Sequence, residues 1–170
     1  MNLHINHMDS PINPAAGEWV SPPTLKERNA VQRAVTALLD ELAPERETKR
    51  GERLPTPVER HRTPSGCVLQ GASAAVSVSW FPDGADLTTL GELHVVVWSG
   101  VVSRRGAAPR REGATVVHEL VLRPIERSAD ECVWRATDGS TYDTHSLAER
   151  CLALLEQQQA ESGAAPDSTR

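Results

Sequence analysis

His4-Ile5-Asn6-His7 spaces two imidazoles three residues apart, a separation that suits one metal ion when carried on a helix. No further ligand lies near it in the chain. His94 and His118 are the other tempting pair, since both fall on a single β-hairpin. Hairpin pairing centred on residues 108–109 sets His94 opposite Arg123, five residues from His118. That is roughly 16 Å along a strand at about 3.3 Å per residue, and the two rings point to opposite faces. Zinc needs nitrogens converging within about 2.1 Å, so no metal is expected. Asp83, Asp86 and Glu92 cluster near one loop but lack the Asp-x-Asp-x-Asp-Gly spacing of a calcium loop.

Nucleophilic chemistry finds no better support. Gly71-Ala72-Ser73-Ala74-Ala75 lacks the final glycine and the strand-to-helix setting of a serine elbow. Cys132 and Cys151 sit within apolar patterns and read as packed thiols. Cys67 follows His61 closely, but at the edge of a charged segment rather than on a rigid element. The glycines mark turns, with no phosphate-cradling or dinucleotide fingerprint. The expectation is a non-enzymatic protein with no cofactor.

Composition agrees. The 170 residues suffice for one domain, and with aromatics at only 4% the core must be mainly Val, Leu and Ala. A net charge of −5 argues against wholesale nucleic-acid binding. One basic feature stands out: Arg104, Arg105, Arg110 and Arg111 flank the small-residue tip of the second hairpin. A two-stranded ribbon fits the major groove and arginines neutralise phosphates, so a nucleic-acid module is the alternative reading. An odd number of cysteines without a CxxC pair fits a reducing compartment. The polar N-terminus lacks signal-peptide character, and no apolar run approaches the ~20 residues of a membrane span. The expected compartment is the cytoplasm.

Five segments organise the chain: a flexible arm over 1–23, a helix over 24–43, and a charged, proline-rich linker over 44–65. An antiparallel sheet with a C-terminal helix follows over 66–159, then a disordered tail over 160–170. Thr24-Leu25-Lys26-Glu27 is a capping box. Val31, Val35, Leu38, Leu39 and Leu42 then form one apolar stripe of a 3.6-residue period. The linker carries almost no apolar residue with which to offset its ordering entropy. Residues 67–143 read as strands throughout, of which five have clear patterns: Ala74–Phe81, Leu93–Val102, Thr115–Ile125, Glu131–Thr137 and Ser140–Asp143. Asp138-Gly139 predicts a two-residue type I′ turn before the last. Ser146-Leu147-Ala148-Glu149 is a second capping box, opening a helix to about Gln158.

The predicted fold is a two-layer α+β domain, a five-stranded antiparallel meander with both helices mainly on one face. Registers that put like with like pair Val76 with Val97, Val78 with Val95, Val95 with Leu122, Val97 with Leu120, Val101 with Val116, Trp134 with Leu122 and Cys132 with Pro124. One face becomes almost wholly apolar. The other is mixed and carries His94, Val96, Trp98, Val121, Arg123, Arg135 and Tyr142, with a cross-strand row Ser77, Val96, Val121, Arg135, Tyr142. Trp, Tyr and Arg are the types enriched at binding hot spots. This face is therefore the expected protein–protein surface of an adaptor- or chaperone-like module, for a different protein or for a second copy in a homodimer. The plainer reading is that the N-terminal arm or the first helix covers it.

Overall fold

The structure is a computed structural model that describes residues 21–44, 57–82, 89–102, 113–128 and 131–163. Helix α1 (Leu25–Leu42) opens on the expected box. The Thr24 hydroxyl accepts from the Glu27 amide at 3.3 Å, and the Glu27 carboxylate accepts from the Thr24 amide at 2.6 Å. The Thr24 hydroxyl also donates to Glu27 Oε2 at 2.7 Å, and that bond, followed by the one from the Thr24 amide, holds the Glu27 carboxyl below its ordinary range. All five stripe residues are buried.

Seven strands follow, not five. They are β1 (Glu59–Thr63), β2 (Gly66–Gln70), β3 (Ala74–Phe81), β4 (Glu92–Ser99), β5 (Thr115–Ser128), β6 (Glu131–Ala136) and β7 (Thr141–Tyr142). They form one antiparallel meander in sequence order. Helix α2 (Thr144–Gly163) completes the domain. Both helices pack on the same face of the sheet, α2 against β3 and β4 and α1 against β2 and β6, and they contact each other.

β1 occupies ground expected to be linker, and β2 precedes the five expected strands at the start of the sheet segment. β1, Glu-Arg-His-Arg-Thr, has no apolar residue to bury. Its inward positions are Arg60 and Arg62, opposite the core residues Leu69 and Cys67 of β2. Their guanidinium groups reach the carboxyl end of α1. Arg60 donates to the Leu42 carbonyl at 3.0 Å, and Arg62 pairs with Asp40 at 3.1 Å. Helix α1 has no basic residue of its own in its last turn, so a neighbouring strand supplies the cations that its terminal carbonyls favour. Gly66 is required in the tight β1–β2 hairpin, because a Cβ there would come 1.8 Å from the Val78 carbonyl oxygen.

The core lies between helices and sheet. Val76, Val78, Leu93, Val95, Val97, Leu122 and Trp134 on the sheet meet Leu38, Leu42, Leu147, Cys151 and Leu155 on the helices. Trp80 and Trp134 pack edge to face with ring centroids 5.8 Å apart, a favoured arrangement for two indoles.

The registers show which sequence inferences survive. β3 and β4 pair as expected, Val76 with Val97 and Val78 with Val95. β4 and β5 are displaced by two residues: Leu122 lies opposite Leu93, Leu120 opposite Val95 and His118 opposite Val97. β5 and β6 are likewise displaced, with Trp134 opposite Pro124, Ala136 opposite Leu122 and Cys132 opposite Glu126. A slip of two preserves the face of each side chain, so the partition into faces holds for these pairs, up to the bulge at Val97 and Trp98, while the partners change.

The β6–β7 turn behaves differently. A type I′ turn needs positive φ at both Asp138 and Gly139, yet only Gly139 has it (φ 89°). The loop is one residue longer on the β6 side, closed by the Ala136 amide to the Ser140 carbonyl at 2.8 Å. The register therefore slips by one. Tyr142 faces Trp134, and Thr141 faces Arg135.

Two further boundaries are corrected. β4 ends at Ser99 rather than Val102, where Gly100 (φ 96°) turns the chain and donates to the Ser73 carbonyl at 2.7 Å. The expected Val101–Val116 pair is replaced by Trp98–Val116 after a bulge, and Val101 is exposed. Helix α2 begins at Thr144 and extends to Gly163, past the expected 146–158. Asp143, not Ser146, caps it, accepting from the Ser146 amide at 2.7 Å and hydroxyl at 2.8 Å. Both bonds lower the Asp143 carboxyl from its ordinary value. The extra turns matter, because Gln159 accepts from the Ala72 amide at 3.1 Å and ties α2 to the β2–β3 turn.

Candidate docking face of the sheet

Six of the seven predicted surface residues share the face opposite the helices. His94, Val96 and Trp98 come from β4, Val121 and Arg123 from β5, and Arg135 from β6. Tyr142 does not join them: the one-residue slip turns it to the helix side, where it packs against the core. The expected row is also redrawn. Ser77, Val96 and Glu119 lie side by side, as do Ser79, His94 and Val121, and then Arg123, Arg135 and Thr141. Of the two anticipated covers, helix α1 lies on the other face, and residues 1–20 of the N-terminal arm lie outside the described residues.

Strand periodicity adds Val68 on β2, Phe81 on β3 and Ile125 on β5 to this face, beside Val133 on β6, which the sequence register also places there. Val68, Val96, Trp98, Val121, Ile125 and Val133 are all half-buried, and Phe81 is 49% exposed. Alternation along Ala74–Phe81 contained the Phe81 signal. Val68 falls within the strand region over 67–143, but the short run Cys67–Leu69 has no alternation to fix its face.

An ionic network fixes the middle of this face. Arg123 donates twice to Glu92 Oε1, at 3.0 Å from Nε and 2.8 Å from Nη2. The His94 ring lies between two carboxylates, with Nδ1 3.0 Å from Glu119 and Nε2 3.5 Å from Glu92. The Arg123 hydrogen bonds hold the Glu92 carboxyl below its usual range, helped by His94. Phe81 stacks edge-on against the same imidazole, with centroids 4.8 Å apart. The Trp98 indole donates to the Ser77 hydroxyl at 3.0 Å, which fixes the ring on the sheet.

One corner is closed. Gln70 and Ala75 lie on this face yet are buried. Gln70 donates to the Gly71 and Ala74 carbonyls and accepts from the Val102 amide at 2.9 Å, so the chain leaving β4 is drawn over the end of β2.

The chemical alternatives are placed as follows. His94 and His118 stand on opposite faces, and the described residues contain no group of three His, Cys, Asp or Glu side chains arranged to hold a metal. His4, His7, Asp83 and Asp86 lie outside the described residues, as do Arg104, Arg105, Arg110 and Arg111. Burial pushes the Cys67 and Cys132 thiols up to about 11 and the Cys151 thiol up to about 12, which disfavours the nucleophilic thiolate. Cys67 points into the core with Val78, while His61 lies on the other side of the sheet beside Val68. No helix among the described residues is long and apolar enough to cross a membrane. Comparison of the chain with protein-family models, with curated proteins and with solved structures finds no significant match.

Proposed function

We propose that the protein is a small, non-enzymatic protein–protein interaction module, adaptor- or chaperone-like, that docks its partner on the sheet face opposite the helices. One observation carries this reading. A face that no helix among the described residues covers interleaves half-buried Val96, Trp98 and Val121 with an arginine and a histidine already fixed by Glu92 and Glu119. Aromatic and aliphatic side chains supply area, and charges held in place beforehand lose little further freedom when a partner arrives. The pattern suits a macromolecule better than a small ligand, whose sites are concave and enclosed.

Val121→Lys tests this reading. Val121 sits on the docking face and outside the core, so the melting temperature should stay within a few degrees of wild type. Capture of the partner, whether another protein or a second copy, should be lost. A wild-type chain that captures nothing and sediments as a monomer would refute the proposal. The alternative, nucleic-acid binding by the arginines at the β4–β5 hairpin tip, rests on residues outside those described.

A further inference from the structure

We infer that the partner on the docking face is a second copy of this chain, packed sheet to sheet about a two-fold axis. This rests on the reading of that face as a docking surface. Two observations carry it, one of size and one of charge.

Strands β2 to β6 span roughly 20 Å across and 26 Å along the chain direction, from a spacing near 4.8 Å and a rise near 3.3 Å. The projected area is about 500 Å², and side-chain relief raises the accessible area above that. This is the scale of one side of a standard interface, about 800 Å². A single peptide strand would cover only a fraction of it.

The charges are arranged so that the face complements itself. Arg123 and Arg135 are directly opposite each other on β5 and β6. Like charges in that position repel. Glu92 balances Arg123, whereas Arg135 is exposed and has no ion pair among the described residues. Glu119 lies four residues from Arg123 on β5, with its side chain 50% exposed. An axis through Val121, tilted roughly 20° from the row it shares with His94, sets Arg135 of one copy against Glu119 of the other, given the strand spacing and rise above. The same operation sets Val133 against Trp98, with Ile125 beside it. Acid then meets base and apolar meets apolar, which an isologous interface requires. Half-apolar sheet faces pack in this way about 10 Å apart in β-sandwiches.

Sedimentation velocity of the full chain, combined with charge reversal, tests the inference. Wild type should sediment at the mass of two chains. Arg135→Glu and Glu119→Arg should each shift it to one chain with unchanged circular dichroism, and the double variant should return to two. A monomeric wild type, a dimer indifferent to both reversals, or a double variant that stays monomeric would overturn it. A benzophenone side chain at position 121 separates this failure from failure of the underlying reading. A cross-link between two copies is the expected product. A cross-link only to a different protein overturns the self-association and leaves the docking face standing. A cross-link only to residues 1–20 of the same chain, or none, overturns both.

Discussion

Val97 and Val96 are chemically identical neighbours on β4, and they lead opposite lives. Val97 points to the helices with Leu93, Val95 and Leu122 and is sealed from water, whereas Val96 stands half-buried between Ser77 and Glu119. One face of the sheet exists to be covered by α1 and α2. The other is built from the same strands and the same aliphatic residues, yet it carries an ionic network and, among the described residues, no helix. Stability therefore resides on the first face, and the proposed docking surface is the second.

Substitutions should separate the two. The largest effect is expected at Val97→Asp, which buries a carboxylate with no partner. A cost of about 5 kcal/mol or more would match the whole stability of a domain at the lower end of the usual range, and loss of the cooperative thermal transition would register it. Leu93→Ala leaves the chemistry apolar and opens a cavity at a fully buried site. It should cost about 2–5 kcal/mol in a urea titration. Thr24→Ala removes the α1 capping box and should cost about 1 kcal/mol.

The smallest effect belongs to the helix pair. His145 Nδ1 contacts Glu41 at 2.5 Å and its Nε2 lies 3.4 Å from Glu149, joining the start of α2 to the end of α1. The Glu41 hydrogen bond, with the charges of Glu41 and Glu149, raises the His145 pKa above 6.5. A raised histidine stabilises the fold fully below its unfolded pKa, and that contribution fades as pH rises through the folded value. Stability should thus decline slightly from pH about 6.5 upward. His145→Gln should flatten that decline, measured as melting temperature against pH.

Much of the helix-side face was legible from sequence because a period of two or 3.6 in apolar residues is a strong signal. The α1 stripe, the β3–β4 register and the Thr24 box are all of this kind. Three features were not. β1 turns arginines inward to the end of α1, so it has no apolar alternation to read. Its hairpin signal was Pro64-Ser65-Gly66, turn chemistry absorbed into the linker. The bulges near Trp98 and Glu126 move registers by amounts that no pattern reveals. Asp138-Gly139 suits two turns of different length, and the longer one carries Tyr142 to the core side. The docking face survived these errors because two slips were even. It lost the one residue behind the odd slip.

Val96→Asp beside Val97→Asp tests the division of the sheet most directly. Thermal melting and sedimentation of the two variants should diverge. Val96→Asp should fold with a melting temperature close to wild type and fail to associate, while Val97→Asp should not fold. A Val96→Asp chain that unfolds, or that folds and still associates as wild type does, would contradict the assignment of that face to binding.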